Sequence, residues 1–402
     1  MRTTAAPNRS LPFVDWYLLP ESYSTQLVNQ YIDRYAIPPG ATVLDPFAGA
    51  GTTVVAARLR GLHALGVEIN PFLAFAARVK SRFGYDLPRL QADVDALLAR
   101  VDAALAGPVP DYPLPAMPRL ERWIYPHVAR RLLSVRAAIL EIAEPAHREF
   151  CLLAFAAILR RCSNMKLLPH SFGTRLDRSA PPIRAMLAAH LAKMLADVAG
   201  LPVPPEGCGE IIVGDARALD APGHPLLPAA LAVTSPPYLN NLDYTMQTRL
   251  ELFFLGFVDD IADVRRIRKR MLVCDAKAVY PEIEDYQLVT DHAEVAGLVD
   301  ALREKHAAKN WGWDYPLMVG QYFGGMRRVL AGVHRALAPG GRLVLITGES
   351  AHSGILVPVP RLTAELGELT GFRVESIQVL RTRRSPSHGL PIAESAVTLV
   401  RE

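Results

Sequence analysis

Residues 42–53 read Thr-Val-Leu-Asp-Pro-Phe-Ala-Gly-Ala-Gly-Thr-Thr, an apolar strand followed by a glycine turn and the start of an apolar helix. Gly49 and Gly51 allow the backbone of this turn to approach a ligand closely and to adopt positive φ. The turn lacks a Walker-type lysine, which disfavours a phosphate cradle, and it lacks GxGxxG spacing, which disfavours a dinucleotide. This stretch therefore predicts a strand–turn–helix unit that binds a nucleoside-type ligand.

The segments that flank this unit predict an α/β fold. A second strand at 63–70 and a helix from Pro71 to Gly84 follow with short connections, which indicates parallel crossovers. The alternation then stops for about 125 residues. Five more strands are predicted after this gap, at 210–216, 231–238, 342–350, 373–380 and 395–402. We therefore expect a doubly wound seven-stranded sheet that ends in an antiparallel hairpin, with ligands at the carboxyl ends of the first strands.

Acidic residues stand at the ends of two predicted strands. Glu68 ends the second strand, where a carboxylate can accept hydrogen bonds from both hydroxyls of a ribose. Asp215 ends the third strand, where it can accept from an adenine amino group. The structural alternatives are an exposed acid at a strand end for Glu68 and a turn-forming Asp for Asp215. The preceding glycine turn favours the ligand-binding interpretation.

The fourth strand ends in Ser235-Pro236-Pro237-Tyr238. The two prolines remove two backbone donors and fix φ twice, so carbonyl oxygens and the Ser235 hydroxyl are presented rigidly beside an aromatic ring. An amino group on a planar base offers N–H donors and a π-face, which such an assembly complements. Acceptors and a stacking ring are what an extruded base requires.

The chain resembles the amino-group DNA methyltransferases, which have a Rossmann-like class I methyltransferase fold. The FxGxG motif of that family matches residues 47–51, and its (D/N/S)PP(Y/F) motif matches residues 235–238. Serine at the first position of the second motif is typical of N4-cytosine enzymes, whereas Asp or Asn is more usual in N6-adenine enzymes. The resemblance covers 35–84, 209–256 and 315–402, about half of the chain.

The resemblance implies that S-adenosylmethionine is the cofactor and that double-stranded DNA is the substrate-bearing partner. It also implies that the helix before the first strand, with Ser24 and Thr25 near its start, meets the methionine carboxylate of the cofactor. The candidate cofactor-binding residues are Ser24, Thr25, Asp45, Phe47, Gly49, Gly51, Thr52, Thr53, Glu68, Asp215 and Ala216.

The candidate catalytic residues are Ser235, Pro236, Pro237 and Tyr238. Hydrogen bonds from the target amino group to the Ser235 hydroxyl and to a main-chain carbonyl favour a pyramidal nitrogen whose lone pair can attack a methyl group, with Tyr238 stacked on the base. Positioning and electrostatics then supply most of the acceleration. Three alternatives stay open: an N6-adenine enzyme, an RNA base methyltransferase of the same fold, and a catalytically silent nucleic-acid-binding protein.

Two insertions interrupt the catalytic sequence. The predicted divisions are 1–84 for the N-terminal helix and first half of the catalytic domain, 85–208 for a helical basic insertion, 209–256 for further catalytic domain, 257–314 for a second insertion, and 315–402 for the end of the catalytic domain. In the first insertion, Leu120, Ile124, Val128 and Leu132 form a stripe at helical spacing.

Charge makes both insertions candidate DNA-binding regions. Residues 111–205 contain 13 Arg and Lys against 7 Asp and Glu, a net charge of +6, although the whole chain has a net charge of only +4. Such a block suits a surface that follows phosphates, and the alternative is a solvated helical face. The second insertion has the cluster RRIRKR at 265–270. The candidate nucleic-acid-binding residues are Arg160, Arg161, Lys166, Arg175, Arg268 and Lys269.

Composition bounds the class of protein. The polar N-terminus lacks a signal-peptide pattern, and the longest apolar run, 150–159, is too short to cross a bilayer, so a cytoplasmic protein with no membrane partner is expected. The four cysteines show no CxxC spacing, so no metal site is expected, and none follows a proline as a C5-methylating nucleophile would. No nuclease signature is present, so a separate restriction endonuclease is a candidate partner.

Overall fold

A computed structural model describes residues 6–168, 171–201, 203, 205–219, 228–240, 242–307, 313–385 and 389–402, with only the backbone for 165–168 and 171–175. Its strands are β1 (Thr42–Asp45), β2 (His63–Glu68), β3 (Met165–Leu168), β4 (Ser171–Arg175), β5 (Gly209–Val213), β6 (Ala229–Thr234), β7 (Leu337–Gly348), β8 (Ser350–His352), β9 (Ile355–Val357), β10 (Phe372–Arg384) and β11 (Pro391–Arg401).

Seven of these strands form one sheet in the order β10-β11-β7-β6-β1-β2-β5. The four strand pairs β5–β2, β2–β1, β1–β6 and β6–β7 are parallel. Strand β11 is antiparallel to both β7 and β10. The predicted doubly wound seven-stranded sheet with a C-terminal antiparallel hairpin is therefore confirmed. The chain reverses its direction of strand addition between β1 and β6, and such a switch point is where ligands bind in open α/β sheets.

The helices are α1 (Thr25–Arg34), α2 (Thr52–Leu59), α3 (Pro71–Lys80), α4 (Leu87–Ala106), α5 (Leu120–Trp123), α6 (Pro126–Leu140), α7 (Pro145–Cys162), α8 (Ile183–Ala199), α9 (Tyr244–Gln247), α10 (Arg249–Leu255), α11 (Ile261–Arg270), α12 (Ala293–Ala307), α13 (Tyr315–Ala336) and α14 (Val359–Leu369). Helices cover both faces of the sheet, and successive residues of a strand therefore pack into different cores. Val43 packs among residues of α1 and α2, and its neighbour Leu44 packs among residues of α13 and α14. None of the described helices is long and apolar enough to cross a membrane.

The segment 85–208 contains α4 to α8 and the two-stranded β3–β4 hairpin. Its apolar side chains share one core with α3, α10 and residues 13–17, so the segment is packed onto the catalytic sheet. The helical stripe predicted across 120–132 is not one helix. Ile124 is extended, with φ −145°, and Pro126 starts a new helix, because proline fits the first turn of a helix but not its interior.

Candidate active site

A cavity of about 290 Å³ opens at the carboxyl ends of β1, β2 and β6. This is close to the lower limit for small-molecule sites in proteins. Both halves of the predicted site border it, the glycine turn with its acidic partner and the Pro-Pro loop. The lining includes Phe47, Gly49, Glu68, Asp215, Ser235 and Tyr238.

The two glycines of the turn have different tasks. Gly49 has φ +52°, and a Cβ placed there would meet only the Leu19 side chain at 3.7 Å and a main-chain oxygen at 4.0 Å, so the residue borders free space. Gly51 has φ +84°, and a Cβ placed there would lie 2.8 Å from the Cβ of Ala77 in α3. Gly51 does not line the cavity. The missing side chain allows close packing between the turn and α3, and the contact of Gly51 with the cofactor stays a prediction.

Glu68 connects the end of β2 to the glycine turn. Its Oε2 accepts a hydrogen bond from the Gly49 N–H at 2.8 Å, and its Oε1 accepts one from the Asn70 N–H at 2.8 Å. Burial raises the pKa of Glu68 to about 7, despite these two backbone donors. Further hydrogen-bond donors, such as the hydroxyls of a ribose, would stabilise the ionised form of this carboxylate.

Asp45 and Thr53 are buried behind the cavity and do not line it. Asp45 accepts hydrogen bonds from the Thr234 hydroxyl at 2.6 Å and from the Tyr23 hydroxyl at 3.0 Å. Thr53 bonds to the Tyr23 hydroxyl and donates to the Val233 carbonyl at 3.1 Å. These hydrogen bonds tie β1 to β6, and the contact of both residues with the cofactor stays a prediction.

The N-terminal residues that line the cavity precede the predicted Ser24 and Thr25 in the sequence. Ser24 caps α1 by accepting from the Gln26 N–H at 3.1 Å, and Thr25 is held by Asn8, so neither borders the cavity. Their contact with the cofactor stays a prediction. The lining residues are Glu21, Ser22 and Tyr23, and Ser22 bonds to the lining residue Thr52 at 2.6 Å.

Glu21 was not predicted from the sequence. Its Oε2 is buried without a hydrogen-bond partner, and burial raises the pKa of the side chain. The signal for it in the sequence was its place three residues before Ser24, the cap of α1. An unpartnered carboxylate oxygen in a cavity can accept from an ammonium group of a ligand.

Asp215 and Ala216 line the cavity as predicted, but Asp215 already has a strong partner. Arg217 donates to both of its carboxylate oxygens, at 3.1 and 2.8 Å, and also to Asp285 at 2.5 Å. Asp285 belongs to the second insertion. The pairing fixes the orientation of the Asp215 carboxylate, so its predicted bond to an adenine amino group must use the lone pairs that Arg217 leaves.

The Pro-Pro loop is rigid and contains an unsatisfied acceptor. The Tyr238 N–H donates to the Tyr244 hydroxyl at 3.4 Å, and the Asn240 N–H donates to the Tyr238 carbonyl at 2.7 Å. The side-chain oxygen of Asn240 is buried without a hydrogen-bond partner and borders the same cavity. Burial raises the pKa of Tyr238 above its usual range, so its phenol is neutral. Asn240 was missed because it lies beyond the recognised motif.

The predicted nucleic-acid contacts in the first insertion have different environments. Arg160 is mostly buried: its Nε donates to Glu251 at 2.9 Å, and its guanidinium lies 5.5 Å from the Tyr17 ring. It is therefore corrected from a DNA contact to a buried ion pair. Arg161 is exposed. The side chains of Lys166 and Arg175 lie outside the described part of the structure.

The two predicted contacts in the second insertion are paired with acids. Arg268 bonds to Asp275 at 2.7 Å and lies 3.6 Å from Asp243, and its side chain is only 22% exposed. Lys269 lies 2.5 Å from Glu282 at the surface. The Arg268 assignment is corrected to an anchor for α11, because its charge is already compensated. Lys269 is exposed, and its charge is paired with Glu282.

Comparison with known proteins agrees with this geometry. A family model for N6 and N4 methyltransferases, described as DNA methylase, matches residues 15–78, which include the cavity-lining Glu21, the glycine turn and Glu68. Over these residues the chain is similar to the amino-group DNA methyltransferases. The fold predicted from the resemblance is confirmed by the strand order, and S-adenosylmethionine is the cofactor of this family.

Relatives of this methyltransferase extend over nearly all of the chain. The Type II methyltransferase M.BsoBI from Geobacillus stearothermophilus is 25% identical over 94% of this chain and 82% of its own length. The Type II methyltransferase M.AvaI from Anabaena variabilis is 24% identical over 94% of this chain and 83% of its own length. Among solved structures, TrmN from Thermus thermophilus is 12% identical over 98% of this chain and 53% of its own, with a TM-score of 0.32.

The lining residues of this methyltransferase fit S-adenosylmethionine chemically. The cavity offers an acid at a strand end for ribose hydroxyls, an unpartnered carboxylate oxygen for an ammonium group and the half-buried Phe47 for an apolar face. Gly49 leaves space that any side chain would fill. Glu21, Phe47, Gly49 and Glu68 would therefore hold the cofactor.

The pKa of Glu68 predicts a pH dependence of cofactor binding. Ribose hydroxyls donate to the ionised carboxylate, so protonation of Glu68 removes the acceptor that they need. The pKa of Glu68 is about 7 in the free protein, so the ionised fraction of this carboxyl rises about tenfold between pH 6 and pH 8. The affinity for the cofactor should therefore rise about tenfold over the same range. Calorimetric titration across this range measures it. The Glu68→Gln variant should bind more weakly and with no such step; a wild-type step that persists in the variant would assign it to another group.

Proposed function

We propose that this protein transfers a methyl group from S-adenosylmethionine to the exocyclic N4 amino group of cytosine in a flipped-out base of double-stranded DNA. The observation that carries the proposal is the position of the Ser-Pro-Pro-Tyr loop, which borders the same cavity as Gly49 and Glu68. Cofactor-binding and amino-group-binding groups therefore share one space. S-adenosylmethionine supplies an electrophilic methyl group bonded to a sulfonium centre.

The residues of the loop would orient the target nitrogen. Ser235 and the main-chain carbonyls of Pro236 and Pro237 offer acceptors for the two N4–H donors, and the prolines prevent the loop from rotating away. Held in this way, the N4 lone pair would point at the methyl group that S-adenosylmethionine would supply. Groups that are oriented in advance need no reorganisation during the step.

Tyr238 would stack on the extruded base. A Cβ at Gly348 would lie 3.4 Å from the Cε2 atom of the Tyr238 ring, so β7 supports that part of the ring. Tyr238 also borders the cavity. A ring that is supported by a strand loses little conformational entropy when a base stacks against it.

Two further observations support the finer parts of the proposal. Ser235 at the first position of the loop is the residue typical of N4-cytosine enzymes in the family that the chain resembles. The relatives that cover most of the chain are described as Type II methyltransferases, which supports methylation at a specific DNA sequence and a separate restriction endonuclease as a partner.

Identification of the methylated nucleoside tests the proposal. Genomic DNA from a host that expresses the protein is digested to nucleosides and separated by mass spectrometry, and long-read sequencing of the same DNA gives the modified motif. N4-methylcytosine at one motif is the expected result. N6-methyladenine would retain the amino-group mechanism and change the base, whereas methylation of RNA alone, or of neither, would overturn the proposed substrate.

Ser235→Ala should lower the rate of methyl transfer by roughly five- to tenfold, because one neutral hydrogen bond contributes about 1 kcal/mol. The main-chain carbonyls stay in place, so the remaining activity is substantial. Cofactor affinity should not change. Single-turnover methylation measures the rate, and Ser134→Ala, which removes a buried hydroxyl from α6, is the matched control. A rate equal to wild type would mean that backbone carbonyls alone orient the amino group.

A further inference from the structure

The C-terminal hairpin brings arginines to the mouth of the cavity. The pairing of β10 with β11 shifts register between Val379 and Arg381, where one extra residue forms a bulge. Bulges bend a strand and redirect the side chains that follow. Arg381 and Arg383, two residues apart and therefore on one face of β10, both border the cavity.

Only one of these two arginines has an acidic partner. Arg381 donates from Nε to the Glu394 carboxylate at 2.8 Å, so its charge is compensated within the hairpin. Arg383 is exposed, and no acidic side chain of the described residues forms an ion pair with it. The Tyr238 hydroxyl lies within the electrostatic reach of Arg383: burial raises the pKa of Tyr238, the Glu394 carboxylate adds to this, and Arg381 and Arg383 oppose it. The free guanidinium therefore lies on the Pro-Pro side of the cavity.

A second free arginine approaches the cavity from the second insertion. Arg270 is the last residue of α11, is exposed and borders the cavity. The preceding turn of the helix is fastened by the bond from Arg268 to Asp275, and the Arg270 carbonyl accepts from Arg217 at 2.9 Å. Within the described ranges no carboxylate forms an ion pair with the Arg270 side chain. Its backbone is thus fixed while its charge is left uncompensated.

We propose that Arg270 and Arg383 grip the backbone phosphates of the DNA strand that delivers the target nucleotide into the cavity. The proposal rests on the proposed function and adds the residues that hold the strand at the pocket mouth. A phosphate complements a guanidinium geometrically as well as electrostatically, because two N–H groups can donate to two oxygens. Contacts of this kind fix the position of the strand and do not read its sequence.

The basic mouth also explains how a pocket that contains the carboxylates of Glu21, Glu68 and Asp215 can receive a nucleotide. The base brings its own phosphodiester to the rim, where an acidic surface would repel it. Glu394 borders the cavity, but Arg381 neutralises it, which leaves Arg383 as the uncompensated charge among the described hairpin residues that border the cavity. DNA is therefore the ligand whose charge matches the mouth while its base fits the interior.

Salt dependence of DNA binding tests this proposal. Arg270→Gln, Arg383→Gln and the double variant are compared with wild type by fluorescence anisotropy, on a labelled duplex that carries the motif found by methylation mapping. Each single change should reduce the slope of log affinity against log salt by about one, and the double change by about two. Arg373→Gln is the matched control, since Arg373 lies on the same strand at its other end and pairs with Glu402. Its slope should equal that of wild type.

Two outcomes would overturn the proposal. A wild-type slope in the double variant would show that neither arginine contacts a phosphate. Unchanged DNA binding with weakened S-adenosylmethionine binding, measured by calorimetry, would assign the arginines to the carboxylate of the cofactor. Both outcomes leave the proposed function intact if wild type methylates the duplex. A wild-type protein that neither binds nor methylates DNA would instead overturn the proposed function, and the grip with it.

Discussion

Gly49→Leu is expected to abolish S-adenosylmethionine binding, with a loss of affinity greater than about a hundredfold, which corresponds to about 2.7 kcal/mol. The residue borders the cavity, and a Cβ placed there would have only ordinary contacts, the nearest with Leu19 at 3.7 Å, so a leucine side chain would occupy the space of the ligand. The positive φ of +52° adds about 1–2 kcal/mol of strain, which the sheet can tolerate. Calorimetric titration measures the affinity, and a thermal melt shows whether the variant folds.

Two other glycines separate the effect of blocking from the effects of strain and packing. Gly61→Leu introduces the same strain, at φ +74°, with no atom within 4 Å, so it should bind the cofactor normally. Gly51→Leu should instead lower the stability of the fold by about 1–3 kcal/mol beyond this strain, because its Cβ would collide with Ala77. Normal cofactor affinity in a folded Gly49→Leu variant would show that the cofactor binds outside this cavity.

The sheet could be predicted from the sequence because each of its strands has a local signal. Val43 and Leu44 are both apolar since β1 is covered on both faces, and the strand ends where the glycine turn begins. The same local strings predicted the cavity at the ends of β1, β2 and β6. Two local signals were weaker. The four-residue spacing of Leu90 and Val94 in α4 did not lead to a predicted helix, and the predicted stripe across 120–132 did not include the helix boundary at Pro126.

One physical cause limits how much of the site the local sequence can predict, which is that hydrogen-bond partners can lie far apart in the sequence. Asp45 at a strand end has the position of a ligand acid, but Thr234, 189 residues later, donates to it. Arg160 lies in a basic run that is typical of a nucleic-acid surface, but Glu251, 91 residues later, neutralises it. Arg383 gives the opposite case, because a bulge rather than any motif turns it toward the cavity. Local patterns predict strands and turns, and folding decides which charges meet.

Arg160→Ala is expected to destabilise the protein by about 3–5 kcal/mol, rather than to weaken DNA binding through a lost phosphate contact. Glu251 is fully buried in α10 and accepts from Arg160 at 2.9 Å and from the Tyr17 hydroxyl at 2.8 Å. Removal of the guanidinium leaves this carboxylate in the core with its charge uncompensated. Urea denaturation measures the free energy of unfolding, and Arg161→Ala, the exposed neighbour, should change it by less than about 0.5 kcal/mol.

The double variant Arg160→Met with Glu251→Leu distinguishes the ion pair from simple loss of packing. It removes both charges and keeps most of the buried volume, so it should recover most of the stability that Arg160→Ala loses, since buried ion pairs are often replaceable by apolar side chains. The Tyr17 hydroxyl then loses its acceptor, which leaves a residual cost of about 1–3 kcal/mol. If Arg160→Ala alone unfolds at the urea concentration of wild type and its DNA affinity falls, Arg160 reaches the DNA and the pair with Glu251 is dispensable. If the double variant is no more stable than Arg160→Ala, packing rather than charge sets the cost at this junction between α7 and α10.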